Sequence, residues 1–183
     1  LHLGKSISFA KQKQFLPPYD TKETLAKLFR CINEFEPSKL IIVGDLLHDM
    51  FSVNSFQEKD HQNFNKYTKN TEFIWVKGNH DYDIEINGFT KVLNYKVEEI
   101  IFNHIPIKSK NFQICGHYHP KAKISHRGKS IYKSSFVHND KLLILPSFGA
   151  LTGGLNINQE PIRGLLGKSI KIFPVGNRKV YKL

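Results

Sequence analysis

Lys39-Leu40-Ile41-Ile42-Val43-Gly44-Asp45 is a short apolar run closed by a glycine and then a carboxylate, and Glu72-Phe73-Ile74-Trp75-Val76-Lys77-Gly78-Asn79-His80-Asp81 repeats the pattern. Runs of this length stopped by a glycine turn read as strands buried on both faces. Two of them separated by a helix-length segment imply alternating β and α structure. The polar residues that follow each strand then gather at the carboxyl edge, where open sheets collect ligands.

Working outward, Asp20 to Glu36 reads as a helix with Asp20 as N-cap and an apolar face of Leu25, Leu28, Phe29, Ile32 and Phe35, ended by Pro37. Ser55 to Lys69 is a weaker amphipathic helix through Phe56, Phe64 and Tyr67. From Lys91 the character changes to short strands at 91–94, 97–103, 111–115, 130–137, 141–145, 169–174 and 178–182, with Val175-Gly176-Asn177 as a tight hairpin connection. Helix-covered strands followed by many strands predict an α/β sandwich, two packed sheets flanked by helices. The 183 residues, 40% hydrophobic, are enough for one domain over 1–183. No apolar run is long enough to cross a bilayer, and the expected compartment is the cytoplasm. Cys31 and Cys115 lack metal-type spacing and are expected to be buried free thiols.

The net charge is +11. It favours an anionic partner such as a nucleic-acid backbone. Against that, only Arg30, Arg127, Arg163 and Arg178 among the 27 basic residues carry the guanidinium fork that marks dedicated phosphate recognition, and a general compositional drift toward lysine gives the same total. The richest stretches are Lys108 to Lys110, Lys121 to Lys133 and Lys168 to Lys182.

Seven polar residues stand in order beside predicted strand ends: His2, Asp45, Asn79, His80, His104, His117 and His119. Oxygen and imidazole ligands suit Mn²⁺, Zn²⁺ or Fe²⁺, and a carboxylate can bridge two such ions about 3.5–4 Å apart. A water held between them loses a proton near neutral pH and becomes a nucleophile for phosphorus. Gly78-Asn79-His80-Asp81 offers an amide ligand, a proton-donating imidazole and a carboxylate to orient it. In Gly116-His117-Tyr118-His119, alternation along an extended chain points both imidazoles the same way. Lys5 and His48 are candidate substrate contacts, each also readable as an ordinary surface or surrounding residue. His61, His126 and His138 are expected to face solvent. Gly149 to Gly154 reads either as a phosphate-approaching turn or as a plain connection.

Taken together, Gly-Asp, Gly-Asn-His-Asp, a histidine after a strand and Gly-His-x-His resemble the motifs of the calcineurin-like metallophosphoesterases. The resemblance implies a four-layer α/β/β/α sandwich and two divalent metal ions, with Mn²⁺ expected first and Zn²⁺, Fe²⁺ or Mg²⁺ as alternatives. In that pattern His2, Asp45 and His119 serve one metal, Asp45, Asn79, His104 and His117 serve the other, and Asp45 bridges. His80, paired with Asp81, matches the residue that protonates the leaving oxygen or binds the phosphoryl group. Leu1-His2-Leu3-Gly4-Lys5-Ser6 looks like the first motif, Asp-x-His, without its aspartate. A first strand ending in that aspartate is therefore expected ahead of Leu1 in the natural protein.

More narrowly, residues 2–6, 44–48, 114–120 and 145–155 look like the ligase-associated DNA-damage-response endonucleases. That implies a metal-activated hydroxide cleaving phosphodiesters in DNA during repair, with a DNA ligase and a helicase as partners. The alternatives are a small-molecule phosphatase or nucleotide phosphodiesterase, and a non-catalytic nucleic-acid-binding repair scaffold.

Overall fold

A computed structural model gives the fold. It describes residues 1–55, 58–81, 83–167, 169–177 and 179–183, and the side chains of 54, 55, 58, 59, 61 and 126 lie outside the described set. Phe56, His61 and His126 therefore carry no structural statement. The chain divides into two compact units, Leu1–Tyr95 with Phe148–Thr152 and Lys96–Ser147 with Gly153–Leu183.

The first unit is built on three parallel strands, β1 (Lys39–Val43), β2 (Glu72–Val76) and β3 (Phe89–Val92), in that order. The register pairs Lys39 with Glu72 and Val43 with Val76, so Gly44-Asp45 and Lys77-Gly78 leave the sheet at the same edge. Helix α1 (Lys5–Lys11) precedes α2 (Asp20–Phe35), and a 3₁₀ segment (Met50–Ser55) leads to α3 (Glu58–Tyr67). The apolar face of α2 buries Leu25, Leu28, Phe29 and Ile32 in one cluster with Ile42, Phe64, Phe73 and Trp75. Each such side chain contributes about 1.5–3 kcal/mol by leaving water. Phe64, the anchor of α3, meets the rings of Phe29 and Phe89 edge-on, with centroids 5.2 Å away in both cases.

Two readings change here. Asp20 is the first helical residue rather than the cap, and Tyr19 holds the N-cap position with no side-chain cap bond. The Asp20 carboxylate is occupied elsewhere, accepting from the backbone N–H and the hydroxyl of Ser6. A buried tertiary partner outweighs a local cap worth about 1 kcal/mol. That contact also anchors α1, which the sequence did not announce: its buried residues are Ser6 and Ser8, so no apolar stripe betrays it.

The second unit carries β5 (Ile100–Asn103), β6 (Phe112–Cys115), β7 (Lys121–His126), β8 (Lys129–His138), β9 (Leu142–Ile144), α4 (Ile162–Leu166) and β10 (Lys171–Pro174). With β4 (Tyr95–Val97) the sheet order is β10-β8-β9-β6-β5-β4, and off this path β7 pairs with β8, its first residue Lys121 also bridging Asn156. Its core gathers Cys115, Ala122, Val137, Leu142, Ile144, Ile157, Ile162 and Leu166. Burial pushes the Cys115 thiol up to about 12, whereas Cys31, expected to be buried, is half-exposed. The strand expected over 178–182 reduces to a bridge between Val175 and Val180, with Gly176 N–H donating to the Lys179 carbonyl. Val180, Tyr181 and Leu183 are exposed, so no apolar face fixes a longer pairing. His138, expected in solvent, is half-buried and stacks on Phe173 with centroids 5.6 Å apart.

Candidate functional site

In the first unit the candidate residues collect where β1 and β2 end. Residues 2 and 3 run parallel to 45–47: His2 N–H donates to the Asp45 carbonyl at 2.8 Å, Leu3 N–H to Leu46 at 2.9 Å, and Leu3 bridges Leu47. His2 Nε2 lies 3.4 Å from Asp45 Oδ2, and both side chains are buried. Asp45 sits at φ +50°, a left-handed conformation that costs a non-glycine residue about 1–2 kcal/mol. Two contacts hold it there. The His80 N–H donates to Oδ1 at 3.1 Å, and the bare Cα of Gly78 admits the carboxylate, since a Cβ at that position would stand 2.2 Å from Oδ1.

His80 lies in a cluster of imidazoles, 5.4 Å from His2 edge-on and stacked on His48 at 5.5 Å. Burial, then the charges of Lys5 and His80, lower the His48 pKa and favour its neutral form. Among the described residues the buried Nδ1 of His48 has no hydrogen-bond partner. Asn79 is exposed at the turn. Lys5 donates to the Leu151 carbonyl at 2.8 Å, a structural contact that ties α1 to the residues around Ala150.

Asp81 does something other than orient His80. Its Oδ2 accepts from Trp75 Nε1–H and Gly78 N–H, both at 2.8 Å, and its Oδ1 accepts from Leu47 N–H at 3.3 Å. The carboxylate is buried and clamps the start of the Gly78-Asn79-His80 turn to β2 and to the segment after Asp45. It is a positioning residue.

In the second unit His104 follows β5 and His117 follows β6, neighbouring parallel strands. His104 Nε2 and His117 Nδ1 are 3.0 Å apart with the rings nearly perpendicular. His117 and His119 have φ of +62° and +46°, so the expected extended alternation is absent. Their imidazoles are set instead by two left-handed residues in a tight turn, where Tyr118 N–H donates to the Gly116 carbonyl at 2.7 Å. Gly154 packs against this turn, and a Cβ there would sit 2.0 Å from the His119 carbonyl oxygen. Gly149 likewise admits the Leu1 carbonyl, so the glycines at 149 and 154 serve close backbone packing.

Gln113, not singled out by its sequence, braces the His104 loop. Its Oε1 accepts from Asn103 Nδ2 at 3.0 Å and from Ile107 N–H at 2.9 Å, while Nε2 donates to the Ile107 carbonyl at 2.8 Å. An amide at an inward position of a buried strand, between Phe112 and Ile114, was the available signal.

Both donor pairs suit a divalent ion. Two ligand atoms about 2.0–2.1 Å from one ion stand roughly 3.0–3.4 Å apart at octahedral to tetrahedral angles. The His104–His117 pair at 3.0 Å and the His2–Asp45 pair at 3.4 Å fall in that range. Imidazole nitrogen with carboxylate oxygen is a donor set for Mn²⁺, Zn²⁺ or Fe²⁺.

A mixed α/β fold that gathers imidazole and carboxylate groups at strand ends is an arrangement suited to metal-dependent phosphoester hydrolysis. The calcineurin-like phosphoesterase family model matches residues 2–160, and the chain belongs to that family. Among solved structures, a crystal structure of the Pseudomonas putida nuclease MPE has the same fold, with a TM-score of 0.74 and 24% identity over 100% of this chain and 84% of that one. No curated protein matches the sequence. Among the described residues no helix is long and apolar enough to cross a membrane.

Proposed function

We propose that the chain is a phosphodiesterase of the nuclease type that cleaves DNA. His2, Asp45, Asn79, His104, His117 and His119 would hold two divalent cations, Mn²⁺ by preference, over a single functional domain comprising both units. Bound cations supply positive charge for the phosphoryl oxygens and an activated water. His80 donates the proton to the leaving oxygen. Asp45, fixed by His2 and by the His80 amide, presents its carboxylate as the central ligand, and Asp81 keeps the Asn79-His80 turn in place.

The observation that supports this reading most is that His2–Asp45 and His104–His117 each stand at ligand–ligand spacing, in the motif order of the family. The likeness of residues 2–6, 44–48, 114–120 and 145–155 to the ligase-associated endonucleases favours a repair role in the cytoplasm with a DNA ligase and a helicase as partners. The name of the structural neighbour, a nuclease, agrees in kind. Asp45→Ala or Asn79→Ala should abolish Mn²⁺-dependent hydrolysis of bis(p-nitrophenyl) phosphate, and full activity in either variant overturns the assignment. His80→Ala should cut turnover by about 10²–10⁴-fold while metal content measured by plasma emission is unchanged.

A further inference from the structure

The net charge is not spread over the chain. The unit of residues Lys96–Ser147 and Gly153–Leu183 contains 15 lysines and arginines against 4 aspartates and glutamates, and the other unit contains 12 of each, so the second unit carries the whole +11. Compositional drift toward lysine acts on both units alike and does not produce this division. From Ile100 to Asn139 there is no carboxylate side chain at all.

The densest part of this charge lies on a two-stranded ribbon. The C-terminal half of β8, Ser135–His138, pairs with β10 in the sheet, whereas Lys129–Ser134 pairs with β7. A two-stranded hairpin is marginal alone, and an exposed one needs a reason to persist. The turn at its tip has Arg127 at φ +49° and Gly128 at φ +77°, the two left-handed residues of a type I′ hairpin. Directly opposed residues share a face, so Lys121, Lys123 and Ser125 stand with Ser134, Tyr132 and Ser130, and the Ser125 and Ser130 hydroxyls meet at 2.9 Å. Every side chain on this face can donate a hydrogen bond and none is negative. The opposite face turns Ala122 into the core and carries Ile124, Ile131, Lys133 and, beside the turn, Lys129, so Lys123 and Lys129 flank the ribbon from its two sides. Lys123, Arg127 and Lys129 are exposed, and among the described residues no ion pair engages them.

Lysines that merely guard strand edges against aggregation are a known device, but one charge per strand of either sign serves for that. An all-donor face that ends in a tip bearing Arg127 and, on the other side of the ribbon, Lys129 complements a polyanion. We propose that the β7–β8 ribbon is the docking surface for the phosphate backbone of a nucleic-acid strand, in which Lys123, Arg127 and Lys129 neutralise phosphates without reading sequence. This rests on the reading of the protein as a nuclease, and it assigns strand binding to an element separate from the candidate ligands.

The experiment measures binding of fluorescein-labelled oligothymidylate by anisotropy in EDTA across a salt series, where no hydrolysis is required. Combined Lys123→Gln, Arg127→Gln and Lys129→Gln should lower affinity by on the order of tenfold to 100-fold at 0.1 M salt. The slope of log K against log salt should flatten by about 2, since each phosphate contact on a single strand contributes about 0.7. Lys22→Gln, Lys66→Gln and Lys69→Gln, the same charge removed from exposed sites on the other unit, should leave affinity near the parental value. Lys123→Arg with Lys129→Arg should retain it. Parental affinity in the ribbon variant, equal loss in both charge-removal variants, or loss in the arginine variant overturns the proposal. Absence of Mn²⁺-dependent hydrolysis alongside a ribbon-dependent affinity would instead count against the nuclease reading alone.

Discussion

At Asp81, three donors converge on one buried carboxylate: the Trp75 indole and the backbone N–H groups of Gly78 and Leu47. Asp81→Ala leaves them without an acceptor in a dry site, where each orphaned donor costs about 1–3 kcal/mol. Urea denaturation should show a loss of about 3 kcal/mol or more, and Asp81→Asn a smaller one, because one oxygen still accepts. A variant as stable as the parent would mean that the clamp is not made. Gly78→Ala tests a different thing. Its Cβ would stand 2.2 Å from Asp45 Oδ1 and 2.4 Å from the Asp45 backbone nitrogen, so the carboxylate and the chain at Asp45 must both shift, and Mn²⁺-dependent hydrolysis should fall toward the Asp45→Ala level while far-UV circular dichroism stays native. At this scale the sequence foretold which residues stand at strand ends better than which groups they bond. Asp45, His2, His104 and His117 stand at strand ends in pairs suited to a metal. The adjacency of His80 and Asp81 suggested a partnership, but neighbouring side chains leave a turn in different directions, and Asp81 points inward to the indole of Trp75.

The elements themselves were legible where a hydrophobic face had to be written into the chain. Lys39–Val43 and Glu72–Val76 are strands as expected, and α2 buries Leu25, Leu28, Phe29 and Ile32, whereas Phe35, expected on the same face, is exposed. Where burial is polar or slight, the pattern disappears. Helix α1 hides Ser6 and Ser8, strand β7 reads Lys-Ala-Lys-Ile-Ser-His, and 178–182 looks like a strand but has nothing to cover. The His117-Tyr118-His119 turn escaped for another reason: left-handed conformations at non-glycine residues are set by tertiary packing, here against Gly154. Gln113 shows how an element positions a ligand at a distance. Gln113→Leu keeps the volume but strips the Asn103 amide and both Ile107 backbone groups of their partner. It should destabilise by about 1–3 kcal/mol in thermal or chemical unfolding. An unchanged midpoint would show that water replaces the amide and that the loop carrying His104 is not braced by it.

For the molecule as a whole, the unequal partition of charge has a cost that the proposed strand binding would explain. Like charges confined to one unit repel within it, and at low ionic strength, where the Debye length is about 30 Å at 0.01 M salt, that repulsion opposes the folded state. Lys123, Arg127 and Lys129 make no ion pair among the described residues that would offset it. Removing them by the glutamine substitutions should therefore raise the unfolding temperature at low salt by roughly 1–2 °C, given about 2–4 °C per kcal/mol for a chain of this size. The gain should vanish in 0.3 M salt, where screening already silences the repulsion. Calorimetry across the two salts checks this, and a variant that melts lower at low salt would show that the cations stabilise the ribbon rather than strain it. The opposite signs are the informative part. A side chain whose removal strengthens folding and weakens strand binding is kept for binding, and lysines placed only to protect a strand edge would show the first effect without the second.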